Sequence, residues 1–309
     1  VAKKPAPKKP AARNVKVSSG RPAGLFTWLA VGLVVVVVAV LVIVKVSSGS
    51  STTSGTSAFQ ATDATTVQEL TKIPLSVFNT IGVDSPVAPV SPPSSLKGQP
   101  LLTATNSAGK TVPEVFYLGA EYCPFCAAER WSTIVALSRF GTWSNLGNTT
   151  SSSIDVYPST PTFTFYKATY SSPYLAFRSI EETTNQYNSA TQSYGKLQTP
   201  TKQEQAIFTK YDTSKYIPGL SASSDGSIPF ITMGNKFLVS GASYTPATLG
   251  GLTRSQIAAA LSTTTSPVTE AIIASANYQS AALCTLTNNL PANVCTSSGV
   301  LAAKKIMKL

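Results

Sequence analysis

Twenty consecutive residues without a charge, LFTWLAVGLVVVVVAVLVIV from Leu25 to Val44, divide this chain in two. A helix of that length spans about 30 Å, the thickness of a bilayer's hydrocarbon core. Val and Ile would also suit a strand, but soluble strands are far shorter. A secretory leader has an apolar region of about 7–15 residues and an Ala-x-Ala-like exit. This run instead ends at Val44-Lys45 with no such site. The expectation is one retained transmembrane helix over residues 25–44. Lys3, Lys4, Lys8, Lys9, Arg13, Lys16 and Arg21 precede it and Lys45 follows. That asymmetry makes residues 1–24 a basic cytoplasmic tail and places the C-terminal domain outside the cell membrane, as a single-pass protein.

The net charge of +11 would suggest a nucleic-acid partner if it were spread over the body. It is not. Apart from Lys45, the excess lies in the N-terminal tail and in Lys304, Lys305 and Lys308, while residues 46–303 carry equal numbers of acids and bases. No nucleic acid is expected as a partner. The chain has no histidine, so these residues cannot build a Ser-His-Asp triad, a Cys-His protease, an HExxH zinc site or a His-ligated haem. The side chains left for chemistry include four cysteines: Cys123, Cys126, Cys284 and Cys295.

Residues 45–95 read as a linker, Ser/Thr/Gly-rich over 47–58 and Pro-rich over 86–93. A short amphipathic helix is possible over 66–83, with Val67, Leu70, Val77, Phe78 and Ile81 on one face and Pro74 interrupting it. Residues 96–265 read as an α/β domain. Residues 112–118 form a strand, 124–140 a helix and 162–166 a buried strand. A polar insertion follows, then a helix at 202–210. Residues 227–233 and 236–240 form a hairpin about Gly234-Asn235, and a helix spans 253–261. The order β-α-β-(insertion)-α-β-β-α is that of a thioredoxin-like domain. Residues 266–309 are a C-terminal extension, helical to Leu283, that carries the second cysteine pair.

Cys123-Pro124-Phe125-Cys126 falls between the strand and the helix. A thiol at a helix N-terminus meets unsatisfied amides and the positive end of the helix dipole, which stabilise a thiolate. Pro124 suits the first helical position, where its missing N–H costs nothing. The second thiol lies one turn in, buried and close enough to resolve a mixed disulfide. Cys123 is therefore expected as a partly exposed nucleophile and Cys126 as the resolving thiol. Two other uses compete: half of a metal site, and an inert disulfide in a binding module. Metal is disfavoured by the spacing of the second pair and by the absence of histidine. Cys284 and Cys295 are expected to form a structural disulfide, with Leu290-Pro291 turning the chain between them. A redox relay from Cys123 is the alternative. Trp131 is expected in the core, and Asn148-Thr149-Thr150 is a formal glycosylation sequon.

GAEYCPFC resembles the active-site segment of thioredoxins, and SIPFITMGNKFLVSGA resembles their cis-proline hairpin. The longer GAEYCPFCAAERWSTIVALSRFGTWSNL, followed by SSSIDVYPSTPTFTFYKATY, is similar to the membrane-anchored family called domain of unknown function 929, over about residues 65–300. The resemblance implies a thioredoxin fold. It implies Cys123 as nucleophile, Cys126 as resolving thiol, and Tyr122, Ile228 and Pro229 as a substrate groove. The implied activity is thiol–disulfide exchange without a cofactor. Its clients would be proteins with thiols or disulfides, and a membrane partner would recycle it. Pro124-Phe125 is nearer in kind to glutaredoxin and periplasmic oxidase dipeptides than to that of thioredoxin, which suits an oxidase or isomerase. One departure stands out. Where thioredoxins bury an Asp on the preceding strand, this chain has Tyr117, so the proton acceptor for Cys126 is left open among Glu114, Glu121 and Glu129.

Overall fold

The computed structural model describes residues 59–83, 89–217 and 219–309. The expected tail, membrane helix and Ser/Thr-rich tether fall outside them. Among the described residues no helix is long and apolar enough to cross a membrane.

Along the chain, α1 (Ala64–Thr71) is capped by Asp63, whose carboxylate accepts the Thr66 N–H at 2.9 Å. Pro74 then ends that helix and opens α2 (Leu75–Ile81). This corrects the linker assignment. Leu70, Val77 and Phe78 are buried, and α1 and α2 pack against helices from the far end of the chain. Short strands β1 (Ser94–Ser95) and β2 (Thr103–Thr105) precede β3 (Thr111–Gly119). Helix α3 (Pro124–Ser138) follows, then β4 (Thr142–Ser144), β5 (Gly147–Thr150), β6 (Pro161–Thr164), β7 (Thr169–Ser171) and β8 (Ala176–Glu181). Next come the hairpin β9 (Thr183–Asn188) and β10 (Ser193–Lys196), and α4 (Lys202–Tyr211), which a Thr201–Glu204 capping box begins. The hairpin β11 (Phe230–Met233) and β12 (Phe237–Ser240) turns at Gly234 and Asn235, both at positive φ, as a tight two-residue turn requires. The chain ends in α5 (Arg254–Ala260), α6 (Pro267–Leu286), α7 (Ala292–Cys295) and α8 (Ser298–Met307).

The architecture is mixed α/β. The main sheet runs β1-β12-β11-β3, and β3 is shared beyond that by two strands. Its first half pairs antiparallel with β2, and its second half pairs in parallel with β8, from Glu114↔Ala176 to Gly119↔Glu181. The strand expected at 162–166 is therefore not the parallel partner. Residues 161–164 pair with β5 in a separate hairpin, and the partner of β3 is Ala176–Glu181. That strand escapes a search for apolar runs because Arg178 and Ser179 lie in its middle.

Residues on β3 alternate between two cores. Val115 and Tyr117 face one that contains α3 and α6, whereas Phe116 and Leu118 face one that contains Tyr211 of α4. With helices on both faces, β3 reads as a continuous apolar run. Helix α6, expected in a C-terminal extension, belongs to this core: it packs on α3 and, Glu270 apart, is buried from Val268 to Cys284. The N-terminal helices are locked to it in turn. Asn277 Nδ2 donates to the Phe78 and Gly82 carbonyls, and the Arg139 guanidinium stacks 4.1 Å above the Phe78 ring. A disulfide joins Cys284 to Cys295, with Cα atoms 5.5 Å apart.

Candidate functional site

The site forms where β3 ends and α3 begins. Cys123 is the N-cap of α3, with extended backbone (φ −75°, ψ 122°), and Pro124 follows at the first helical position. The Cys123 sulfur accepts the Cys126 N–H at 3.3 Å, as a capping oxygen would. On its other side the thiol points at the Ile228 carbonyl, 3.7 Å away. The Ile228–Pro229 bond is cis, and the next residues enter β11 beside β3. Register thus brings together segments more than a hundred residues apart.

Both thiols are free, and they differ. Cys123 is lowered from the usual thiol value by its hydrogen bonds with Cys126, side chain and backbone, and by the nearby positive charge of Arg130, against the opposing effect of burial. Cys126 is driven well above that value, first by complete burial and then by the adjacent Cys123. Cys123 was expected to be partly exposed, yet it is only 5% exposed. Phe125, within the motif, is 39% exposed and meets Tyr157 edge-on.

Tyr122 stacks flat on Tyr194 of the β9–β10 hairpin, 4.4 Å between centroids, and its carbonyl accepts the Ser152 N–H. Burial pushes its hydroxyl up to about 12. The turn is also tied to the β8–β9 junction, where Glu182 N–H donates to Gly119 and Glu121 N–H donates to Thr183. Trp131 is fully buried, its indole N–H on the Pro161 carbonyl at 2.9 Å. Among the described residues no cluster of His, Cys, Asp or Glu is arranged to hold a metal ion.

Residues 101–285, more than half of the chain, match the family model described as Domain of unknown function (DUF929). The chain belongs to this family. No curated protein and no solved structure matches it.

In this DUF929 protein the residues that sequence reasoning missed lie beneath the cysteines. Arg130, one residue past Glu129 on α3, is wholly buried and forks onto Glu181 with bonds of 2.8 and 2.5 Å. It also donates to the Ala120 carbonyl at 2.8 Å, the carbonyl that receives the Cys123 N–H. Glu181 accepts the Phe165 N–H as well. The open question of a nearby acid turns on where these side chains point. Glu129 faces away, toward Ser243, Ser132 and Gln279, whereas Glu181, the last residue of β8, lies on the ion pair under the motif. An acid before a polar stretch carried no signal of this. Only the parallel pairing of Gly119 with Glu181 exposes it.

Proposed function

We propose that this protein is a thioredoxin-like thiol–disulfide oxidoreductase, an oxidase or isomerase of protein disulfides. It is held by residues 25–44 in the cell membrane, with its body outside. The observation that carries the reading is the opposed environment of two free thiols one helical turn apart, one lowered and one raised. Supporting it are a strand-to-helix motif on a sheet flanked by helices and the Ile228 carbonyl facing the Cys123 sulfur.

In the reducing direction, the Cys123 thiolate attacks one sulfur of a client disulfide. That S–S bond breaks, and its electron pair leaves on the other client sulfur, which takes up a proton. Cys126 then gives up its proton, and its sulfur bonds to that of Cys123. The mixed disulfide breaks, releasing the second client thiol and leaving Cys123 and Cys126 joined. The oxidising direction is the same path reversed. Pro229 brings no N–H to compete for these sulfurs, and the backbone at Ile228 is where a client strand lies. No metal or organic cofactor takes part, and recycling requires a membrane redox partner.

The burial of Cys123 favours a second reading, a non-catalytic module whose cysteines form a static bridge. Alkylation of the reduced protein near neutral pH separates the two. Exchange chemistry requires Cys123 to react much faster than Cys126, Cys123→Ala to abolish disulfide turnover, and Cys126→Ala to accumulate mixed disulfides on non-reducing gels. Equal, slow labelling with no trapped partner would establish the module instead.

A further inference from the structure

Tyr117 lies on β3 on the same face as Gly119, two residues on, and its side chain is fully buried. An ideal Cβ on Gly119 would sit 2.2 Å from the Tyr117 hydroxyl and 3.0 Å from the Cys126 sulfur, so the two groups border one spot that only glycine leaves open. The hydroxyl has no hydrogen-bond partner among the described residues, and neither does Arg130 Nη1. An unpaired buried hydroxyl is destabilising. Phenylalanine would keep the edge-on packing of this ring against Phe165, at 4.8 Å, without that cost. Across the ring, the Arg130 guanidinium carbon lies 5.8 Å from the Tyr117 centroid, fixed there by Glu181. A donor and a cation, each with unused hydrogen-bonding capacity, thus stand beside the more deeply buried thiol.

We infer that Tyr117, whose hydroxyl is unpartnered while Cys126 is a thiol, turns to donate a hydrogen bond to the Cys126 sulfur when its thiolate forms, and that Arg130, positioned by Glu181, supplies the buried positive charge that holds that thiolate. This rests on the exchange reading for its purpose, though not for its measurement. In the resolving step the electron pair of Cys126 forms the bond to Cys123 as its proton moves off. The Cys123–client S–S bond breaks as that bond forms, and the departing client sulfur keeps the electron pair and takes up the proton. The negative charge that develops on Cys126 during this step lies at a fully buried sulfur, where burial opposes it. Tyr117 keeps its own proton throughout: burial first, with the neighbouring thiols adding, raises it well above the usual phenol value.

The test isolates Cys126 in a Cys123→Ser background and follows thiolate absorbance against pH. Tyr117→Phe should move the titration upward by about one pH unit or more, the scale of one hydrogen bond to a charged group. Glu181→Gln, which removes the negative charge offsetting Arg130 while keeping an oxygen for its N–H groups, should shift it the opposite way, downward. Removing an orphaned hydroxyl should leave the melting temperature unchanged or higher, so a raised titration cannot be put down to damage. With Cys123 restored, Tyr117→Phe should prolong mixed disulfides about tenfold. Should that variant fail to fold, fluorotyrosine at position 117, a more acidic donor of nearly the same shape, should move the titration downward. An unchanged titration in a folded Tyr117→Phe protein, or in the fluorotyrosine protein, overturns the inference whatever the exchange activity. A shifted titration in a protein that exchanges no disulfides sustains the inference and removes the oxidoreductase reading.

Discussion

Glu129 shows what a single side chain costs when the helix that carries it has no solvent face. It is fully buried on α3, and its carboxylate is met by Ser243 N–H at 2.7 Å, Gln279 Nε2 at 2.7 Å and the Ser243 and Ser132 hydroxyls. Burial outweighs these donors and lifts its pKa from 4.5 to about 7. Asp212, at the end of α4, is raised to about 6 by the same cause. A folded-state value above the unfolded one means that the native chain holds the proton more tightly. Stability is then greatest below the unfolded carboxylate values and declines as pH rises through 6 to 7. Melting temperature should therefore fall between pH 4.5 and 7.5, and Glu129→Gln should flatten that fall by roughly 3 kcal/mol at 25 °C. Gly119 makes a second prediction at this scale. Gly119→Ala would drive a methyl into Tyr117 and Cys126. It should destabilise by about 1–3 kcal/mol and change the pH profile of Cys126 alkylation, whereas Gly109→Ala, with open space around it, should leave that profile alone.

At the scale of elements, α6 and the turn after it are held by the Cys284–Cys295 disulfide, which spans 11 positions. Both cysteines are buried, and α7 and α8 pack back onto α6. Closing a loop of that length contributes about 3 kcal/mol in the chain-entropy account. Replacing both cysteines with alanine should lower the melting temperature while leaving the alkylation rate of Cys123 intact. Loss of client turnover at unchanged stability would instead mark the pair as a relay. The hairpin β9–β10 is the other element with a consequence. Its Tyr194 covers Tyr122. Tyr194→Ala should increase the labelling rate of the 5%-exposed Cys123 several-fold by uncovering the motif, with little change in melting temperature, since the hairpin pairs only with itself.

For the whole molecule, the packing of α1 and α2 decides where the body begins. Leu70, Val77 and Phe78 sit in the core cluster with α3, α5 and α6, so a fragment starting after residue 83 would leave those contacts empty. It should be insoluble or melt far lower than one starting at residue 59. If residues 25–44 anchor the chain with its body outside, protease added to intact cells or spheroplasts should cut in the Ser/Thr/Gly tether and release a folded product beginning near residues 47–58. Full protection of the body would put it on the opposite side.

Much of this was written locally. Pro124 after Cys123, the Gly234-Asn235 turn and the apolar run of β3 each act over a few positions, so these helix and strand positions could be read with no knowledge of the fold. The adjacency of Cys123 and Cys126 is likewise a matter of spacing. What only the tertiary structure decided are the meetings of distant segments: Ala176–Glu181 as partner of β3, the helices before residue 83 in the core, and Arg130 with Glu181 and Tyr117 beneath the thiols. Hydrophobic patterning records whether a residue is buried, not which segment buries it. A charged side chain inside a protein gives no local sign of its partner, because the pairing that makes its burial tolerable comes from another strand.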